Sequence, residues 1–184
     1  TLAYDGVAYL DAVNTDMKAD VSIDMEKDMI FDFKENEIKL NNLKLYADGG
    51  FIMDDRGFKF DKMSLSADRS SFADFLSMIP TPYAVDMGDV KATGSLAFNA
   101  LVDGYYADDA MPGFDFNLNI GNGKIQYPGM PSSIDNLNID ANIARTEALS
   151  FDNTVVNVKR LDADFAGNTL RSKLLVKTPE SDPY

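Results

Sequence analysis

The stretch FDFNLNI at residues 114–120 decides the fold of this chain, because apolar and polar residues alternate through it without a break. The stretch LNIDANI at residues 137–143 repeats the pattern. Successive side chains of a β-strand point to opposite faces, so each stretch predicts a strand with one apolar and one polar face. We therefore expect antiparallel β-structure with a dry side and a wet side.

Turn-forming residues recur at short intervals, and they divide the chain into roughly a dozen predicted strands. We predict turns or hairpins at 35–37, 48–50, 55–57, 121–123, 146–147 and 167–168, where Gly, Asn, Asp, Glu or Thr cluster. At Asn41-Asn42 the apolar residues change from even to odd positions. Such a change of phase indicates a β-bulge or a short turn.

One segment breaks the β pattern. Phe72, Phe75, Leu76 and Ile79 have the spacing of a helix face, and prolines follow at 80 and 82. Ser71 stands where an N-cap is expected, three residues before an acid. The sequence therefore predicts a short amphipathic helix that packs on the sheet. A helix that touches a membrane is disfavoured, because its polar face has no Lys or Arg.

The fold class that follows is mostly β, with antiparallel sheet forming either a curved groove or half-barrel, or a sandwich, and one or two short helices. We expect a single domain over 1–184, as a fragment of a longer protein. It would comprise N-terminal strands at 1–69, the helix at 70–82, C-terminal strands at 83–177 and a tail at 178–184. Alternation alone favours the sandwich, in which two apolar faces cover each other.

The composition excludes several classes of function. The 184 residues carry a net charge of −13, which argues against binding nucleic acid or an anionic membrane surface. Histidine and cysteine are absent, so the usual proton shuttle and zinc ligands are missing. We expect a protein that is not an enzyme and needs no cofactor. A calcium site at Asp103, Asp108 and Asp109 is the weaker alternative to a solvated acidic loop.

The apolar side of the sheet is the remaining candidate for function. Its competing interpretations are a closed core and a groove that holds an apolar ligand. The candidate lipid-binding residues are Leu96, Phe98, Phe114, Phe116, Leu118, Ile120, Ile125, Tyr127, Leu137 and Ile139. We expect Phe114, Phe116, Leu118 and Ile120 to be buried together, with the Asp and Asn between them exposed.

A family resemblance favours the groove. The order of FLSMIP at 75–80, GSL at 94–96, MPGFDFNL at 111–118, NGKIQYP at 122–128, IDNLNI at 134–139 and DNTV at 152–155 resembles the C-terminal region of AsmA-like proteins from Gram-negative envelopes. The family includes the larger TamB-type and YhdP-type proteins, which are thought to pass phospholipids along β-grooves.

This resemblance implies a periplasmic protein anchored to the inner membrane by a segment outside this sequence. It implies a role in outer-membrane biogenesis through phospholipid transport or homeostasis, with a phospholipid or other diacyl lipid as ligand and no catalytic motif. The alternative is a non-catalytic interaction module that modulates outer-membrane protein assembly, with envelope proteins as partners that bind its edge strands.

Overall fold

The computed structural model describes residues 2–4, 7–10, 14–26, 28–76 and 90–183. These ranges contain eleven β-strands, one short α-helix and one 3-10 helix. The strands are β1 (Leu2–Tyr4), β2 (Val7–Leu10), β3 (Thr15–Asp24), β4 (Met29–Leu40), β5 (Leu43–Asp54), β6 (Gly57–Ser71), β7 (Lys91–Tyr106), β8 (Gly113–Gln126), β9 (Ile134–Arg145), β10 (Thr154–Phe165) and β11 (Asn168–Lys177). Helix α1 spans Phe72–Leu76, and the 3-10 helix spans Phe151–Asn153.

Strands β3 to β11 form one antiparallel sheet in chain order, and β1 pairs with β2 separately. Each strand of the large sheet makes its main contacts with its immediate neighbours, and α1 packs against β6 and β7. No second sheet covers either side within the described residues. The mostly β, unclosed sheet therefore agrees with the groove form of the predicted fold class, whereas the sandwich that alternation favoured is wrong.

The sheet has one continuous apolar side. Residues directly opposite each other on neighbouring strands share a face, so the pairing traces apolar rows across the sheet. One row runs through Leu65, Ala100, Phe116, Ile143, Val156 and Val176, and the next runs through Ala67, Phe98, Leu118, Ala141, Val158 and Leu174. The separate apolar and polar faces predicted from 114–120 are therefore confirmed.

Helix α1 covers one end of this apolar side. Phe72 is buried against Leu96, Ile120 and Leu137, and Phe75 and Leu76 pack beside them. The Ser71 hydroxyl accepts a hydrogen bond from the backbone N–H of Asp74, as expected of an N-cap. The predicted helix is thus confirmed for 72–76, whereas Ile79 and both prolines lie outside the described residues.

Three of the predicted turns are wrong. The segments 35–37, 48–50 and 121–123 lie inside β4, β5 and β8, where they form register shifts instead of hairpins. A positive φ lets a strand accept one extra residue, and Glu35 in β4 and Asn122 in β8 have φ of 51° and 50°. At the shift between Asp48 and Gly50 the extra residue lies on the partner strand β6, where Lys62 has φ of 47°. The turn-forming residues correctly indicated an unusual backbone conformation at these positions. That conformation produces bulges within strands and does not end the strands.

Side chains on neighbouring strands satisfy the backbone at these bulges. The backbone N–H of Lys62 donates to Asp103 Oδ1 at 3.1 Å, and that of Asn122 donates to Asn138 Oδ1 at 3.1 Å. Asp48 accepts from the backbone N–H of Glu35 in the same way. Each acceptor replaces a ladder bond that the extra residue removes.

The remaining turns are located as follows. The phase change at Asn41-Asn42 is a two-residue turn between β4 and β5, with Leu40 opposite Leu43. The turn at 55–56 is confirmed, and the last hairpin turns at Ala166-Gly167. The connection between β9 and β10 begins at Thr146 and includes the 3-10 helix.

Candidate functional site

The apolar side of the sheet divides into two regions. We call the cluster under α1, formed by Phe72, Leu96, Ile120 and Leu137, the covered end. We call the part of β7 to β10 beyond it the open wall. Its residues are Ala100, Val102, Phe114, Phe116, Ala141, Ile143, Val156 and Val158, and all of them are half-buried.

The ten candidate residues fall into both regions. Leu96, Ile120 and Leu137 are buried, with 1%, 6% and 8% exposure, and so belong to the core of the protein. Phe98, Ile125 and Ile139 pack at the border of the covered end, and Tyr127 follows the last residue of β8. The expectation that Phe114, Phe116 and Leu118 are buried is wrong, because all three are half-buried. Leu118 packs beside the covered end, and no second layer within the described ranges covers the other two. Between them, Asn117 and Asn119 are exposed as expected, and Asp115 is half-buried.

Aromatic rings connect the two regions. The Phe98 ring lies 6.0 Å from that of Phe75 on α1 and 6.1 Å from that of Phe116 on the open wall, measured between centroids. Edge-to-face and tilted contacts at this distance are favourable. Phe98 therefore lies at the boundary between the covered end and the solvent-accessible open wall.

An apolar hollow of about 450 Å³ extends this surface past the covered end. Met130, Ile134, Ala163, Phe165 and Leu170 line most of it. None of these residues is among the ten candidates predicted from the sequence. Alternation in β9 and β10 could have identified Ile134, Ala163 and Phe165, since they continue the apolar phase through the bulge at Asn136.

A buried cation lies at the other end of the open wall. Arg145 is opposite Phe114, has 6% exposure, and donates from Nη2 to the carbonyl of Ala148. Its guanidinium lies 4.7 Å from the centre of the Phe151 ring. A cation over an aromatic face is stabilised by the ring's negative π-surface. Arg145 thus holds the 146–153 connection against the end of the wall.

The polar side of the sheet is held by its own hydrogen bonds. Asn142 donates to Asp115 Oδ1 at 2.8 Å and to Asn117 Oδ1 at 3.0 Å, so the amides bridge β8 and β9. In the strand pairing, Asn99, Asn117, Asn142 and Asn157 stand in one row. Asn99 and Asn117 are exposed, as expected of a solvated face, whereas Asn142 and Asn157 are half-buried.

A second polar cluster surrounds the β5–β6 turn. Tyr105 donates from its hydroxyl to Asp54 Oδ2 at 3.0 Å, and the Arg56 guanidinium lies 4.3 Å from the Tyr105 ring. Desolvation acts to raise the pKa of Asp54, but hydrogen bonds from the Arg56 backbone and the Tyr105 hydroxyl outweigh it and lower that pKa. Asp54 is therefore a structural carboxylate that orders a turn.

The acidic loop does not assemble the calcium site considered from the sequence. Asp103 accepts from the backbone of Lys62, whereas Asp109 forms a salt bridge with Arg56 at 3.2 Å. No three carboxylates converge as metal ligands in the described part of the chain, which includes all three aspartates.

Comparison with known proteins finds no match to any protein-family model, curated protein or solved structure. No helix within the described ranges is long and apolar enough to cross a membrane. The resemblance to AsmA-like proteins consequently stays a prediction from sequence motifs. The open wall is the candidate functional site of the described structure.

Proposed function

We propose that the chain is a periplasmic AsmA-like domain that contributes to outer-membrane biogenesis by holding phospholipid acyl chains on its apolar wall. The observation that carries this proposal is the single-layer sheet, whose apolar side is open beyond α1. The full protein would be anchored to the inner membrane and would act in phospholipid transport or homeostasis.

The size and chemistry of the wall support an acyl ligand. Neighbouring strands lie about 4.8 Å apart, so the six-strand row through Phe116 is about 24 Å long. Each methylene transferred from water to this surface contributes about 0.8 kcal/mol. A chain of ordinary length would be held by contact area alone, and such a ligand also leaves without breaking strong polar bonds.

The uneven burial along β8 supports a defined position for the ligand. Ile120 belongs to the covered end, whereas Phe114 and Phe116 stand half-buried on the open wall. An acyl chain would therefore lie on the wall and end against the rings of Phe98 and Phe75. The apolar hollow beside Phe165 offers a second position on the same side of the sheet.

Photocrosslinking tests this proposal. A diazirine amino acid at Phe98 or Phe116 is expected to form lipid adducts with phospholipid vesicles and in bacterial envelopes. The matched controls are Asn99 and Asn119, which lie on the polar side of the same two strands. Equal labelling on both sides, or none on the apolar side, would contradict lipid binding by the wall.

A second candidate is the interaction module for outer-membrane protein assembly, and the exposed edge strands favour it. All residues of β3 and most of β11 are exposed, and an edge strand can pair with a strand from a partner. Substitution of exposed residues on β3 would abolish partner binding in this case, while lipid adducts at Phe98 would be absent. Lipid adducts that persist in β3 variants would favour the lipid-holding wall.

A further inference from the structure

The two edges of the nine-stranded sheet carry opposite charge. Strand β3, with the sequence TDMKADVSID, has three aspartates and one lysine, which gives a net charge of −2. Strand β11, with the sequence NTLRSKLLVK, has one arginine, two lysines and no acid, which gives +3. The basic edge is unusual in a chain whose net charge is −13.

Both edges also continue the apolar side. In β3, Met17 and Val21 stand opposite Ile38 and Phe33, so they lie on the apolar side, and both are exposed. In β11, Leu170 and Leu174 lie on the same side and are exposed by 55% and 52%. The charged residues of both strands occupy the polar side, because they alternate with these apolar ones.

The charges on the two edges show whether the edges favour pairing between copies of the chain or prevent it. An edge that only prevents aggregation carries charges that repel other copies, so two edges of like sign serve best. Here β11 against β11 would place basic strands together, and β3 against β3 would place acidic strands together. Only β11 against β3 brings opposite charges into contact.

The number of strands then fixes the direction of pairing. Each strand of the sheet is antiparallel to the next, so β3 and β11, the first and the ninth, run in the same direction. When a second copy lies beside the first with both apolar sides facing the same direction, its β3 runs parallel to β11 of the first copy. In this arrangement apolar residues meet apolar residues. With the two ten-residue strands level, Asp20 meets Lys173 and Asp24 meets Lys177.

We propose that β11 of one copy of this chain pairs in parallel with β3 of another, head to tail, and so extends the apolar side across copies. Parallel pairs are slightly less stable than antiparallel ones, and the complementary charges offset this difference. A head-to-tail contact does not close on itself in a dimer, so longer assemblies form as concentration rises. This inference does not depend on lipid binding.

Sedimentation velocity with charge-swapped variants tests the interface. Ser22→Lys/Asp24→Lys changes β3 from −2 to +1, and Lys173→Glu/Lys177→Glu changes β11 from +3 to −1. Each variant alone is expected to weaken association by about tenfold or more at low salt, because its two edges then have like charge. An equal mixture of the two variants should regain association, since unlike edges meet again.

The control variant is Arg69→Glu/Lys91→Glu, which changes the net charge by −4, as the β11 variant does, but on the interior strands β6 and β7. It should associate like the unmodified chain, and circular dichroism should show that all variants are folded. A chain that stays monomeric at every salt concentration would overturn the proposal. Association that is unchanged in both edge variants would overturn it equally.

Disulfide crosslinking tests the direction, since the chain contains no native cysteine. Ser22 lies in the second half of β3 on the polar side, and Leu175 lies in the second half of β11 on that side. A mixture of Ser22→Cys and Leu175→Cys chains should form a mixed dimer. Thr169→Cys is the control, because it lies six residues and about 20 Å away along β11. Preferential crosslinking to Thr169→Cys would overturn parallel pairing.

Discussion

The covered end and the open wall have the same alternating sequence but different surroundings. Leu96 and Ile120 lie beneath α1 and are buried, whereas Phe98, Phe114 and Phe116, on the same two strands, are only half-buried. The difference follows from one helix of five residues, α1, which reaches only one end of the sheet. Alternation determines the side of the sheet on which a residue lies, and tertiary packing determines whether that side is dry.

This comparison separates stability from function. Residues of the covered end contribute to folding, because their apolar area leaves water when the chain folds. Residues of the open wall keep part of that area in water, where it is available to a ligand. Leu96→Ala and Phe116→Ala measure this contrast, whereas Gly94→Ala and Asp164→Asn test a bulge and a polar-side carboxylate of the same sheet.

Leu96→Ala should cause the largest loss. Leu96 is 1% exposed and contacts the buried residues of the covered end, so its removal leaves a cavity and costs about 2–5 kcal/mol. Urea unfolding measures this change. Leu101→Ala on the same strand is the control, since Leu101 is exposed on the polar side and should change stability by less than about 0.5 kcal/mol. Equal losses would show that the covered end is not a core.

Gly94→Ala should cost roughly 1–3 kcal/mol through backbone strain at the bulge. Gly94 has φ of 110°, and a Cβ there would lie 2.7 Å from the carbonyl oxygen of Asn122. Gly129→Ala is the matched control, because its φ is also positive but nothing lies within 4 Å of the added carbon. Thermal unfolding of both variants should distinguish the cost of the steric contact at Gly94 from the cost of a positive φ, which both positions share. An equal loss in both would contradict a tight contact at the bulge.

Phe116→Ala should lower the free energy of unfolding by only about 1 kcal/mol. The ring is half-buried, so its burial contributes only about half of the transfer free energy of a fully buried phenylalanine. A fully packed phenylalanine would cost about 3–5 kcal/mol instead. Denaturant unfolding distinguishes these values, with Leu96→Ala as the reference. A loss near the larger value would show that another layer covers the wall in solution.

The smallest effect concerns acid stability at the β10–β11 edge. Hydrogen bonds from Asn136 and Thr169 lower the pKa of Asp164 from its ordinary value. A lowered folded-state pKa means that this stabilisation is present above about pH 4 and is lost as the pH falls through the folded-state pKa. Asp164→Asn should therefore be less stable than the unmodified chain at pH 7, with the difference shrinking towards pH 3. A difference that is constant with pH would exclude this carboxylate as the cause.

The sequence predicted the strands better than it predicted their ends. Hydrophobic period located β7, β8, β9 and the start of α1, because one-sided burial requires it. It misread the segments at 35–37, 48–50 and 121–123 as hairpins, since glycine, asparagine and aspartate serve both turns and bulges. Only the neighbouring strand shows that the orphan N–H of Asn122 is satisfied by Asn138, and thus that the strand continues.

The candidate site was predicted in part for a similar reason. All but Tyr127 of the ten selected residues can be assigned to the apolar side by pairing or packing. Their division into a core and an open wall was not predictable, because alternation is the same in a sandwich and in a single layer. The Arg145 contact with Phe151 also joins residues that no sequence period relates.

The sequence by itself determined the two faces of the sheet, the position of the helix and the poverty of catalytic groups, since these depend on local spacing and composition. The tertiary structure decided that the described sheet is a single open layer, that register shifts occur within strands at 35–37, 48–50 and 121–123, and that β3 and β11 lie at opposite edges. These features depend on which strands pair and on what covers them, and such long-range contacts leave no periodic signal in the chain.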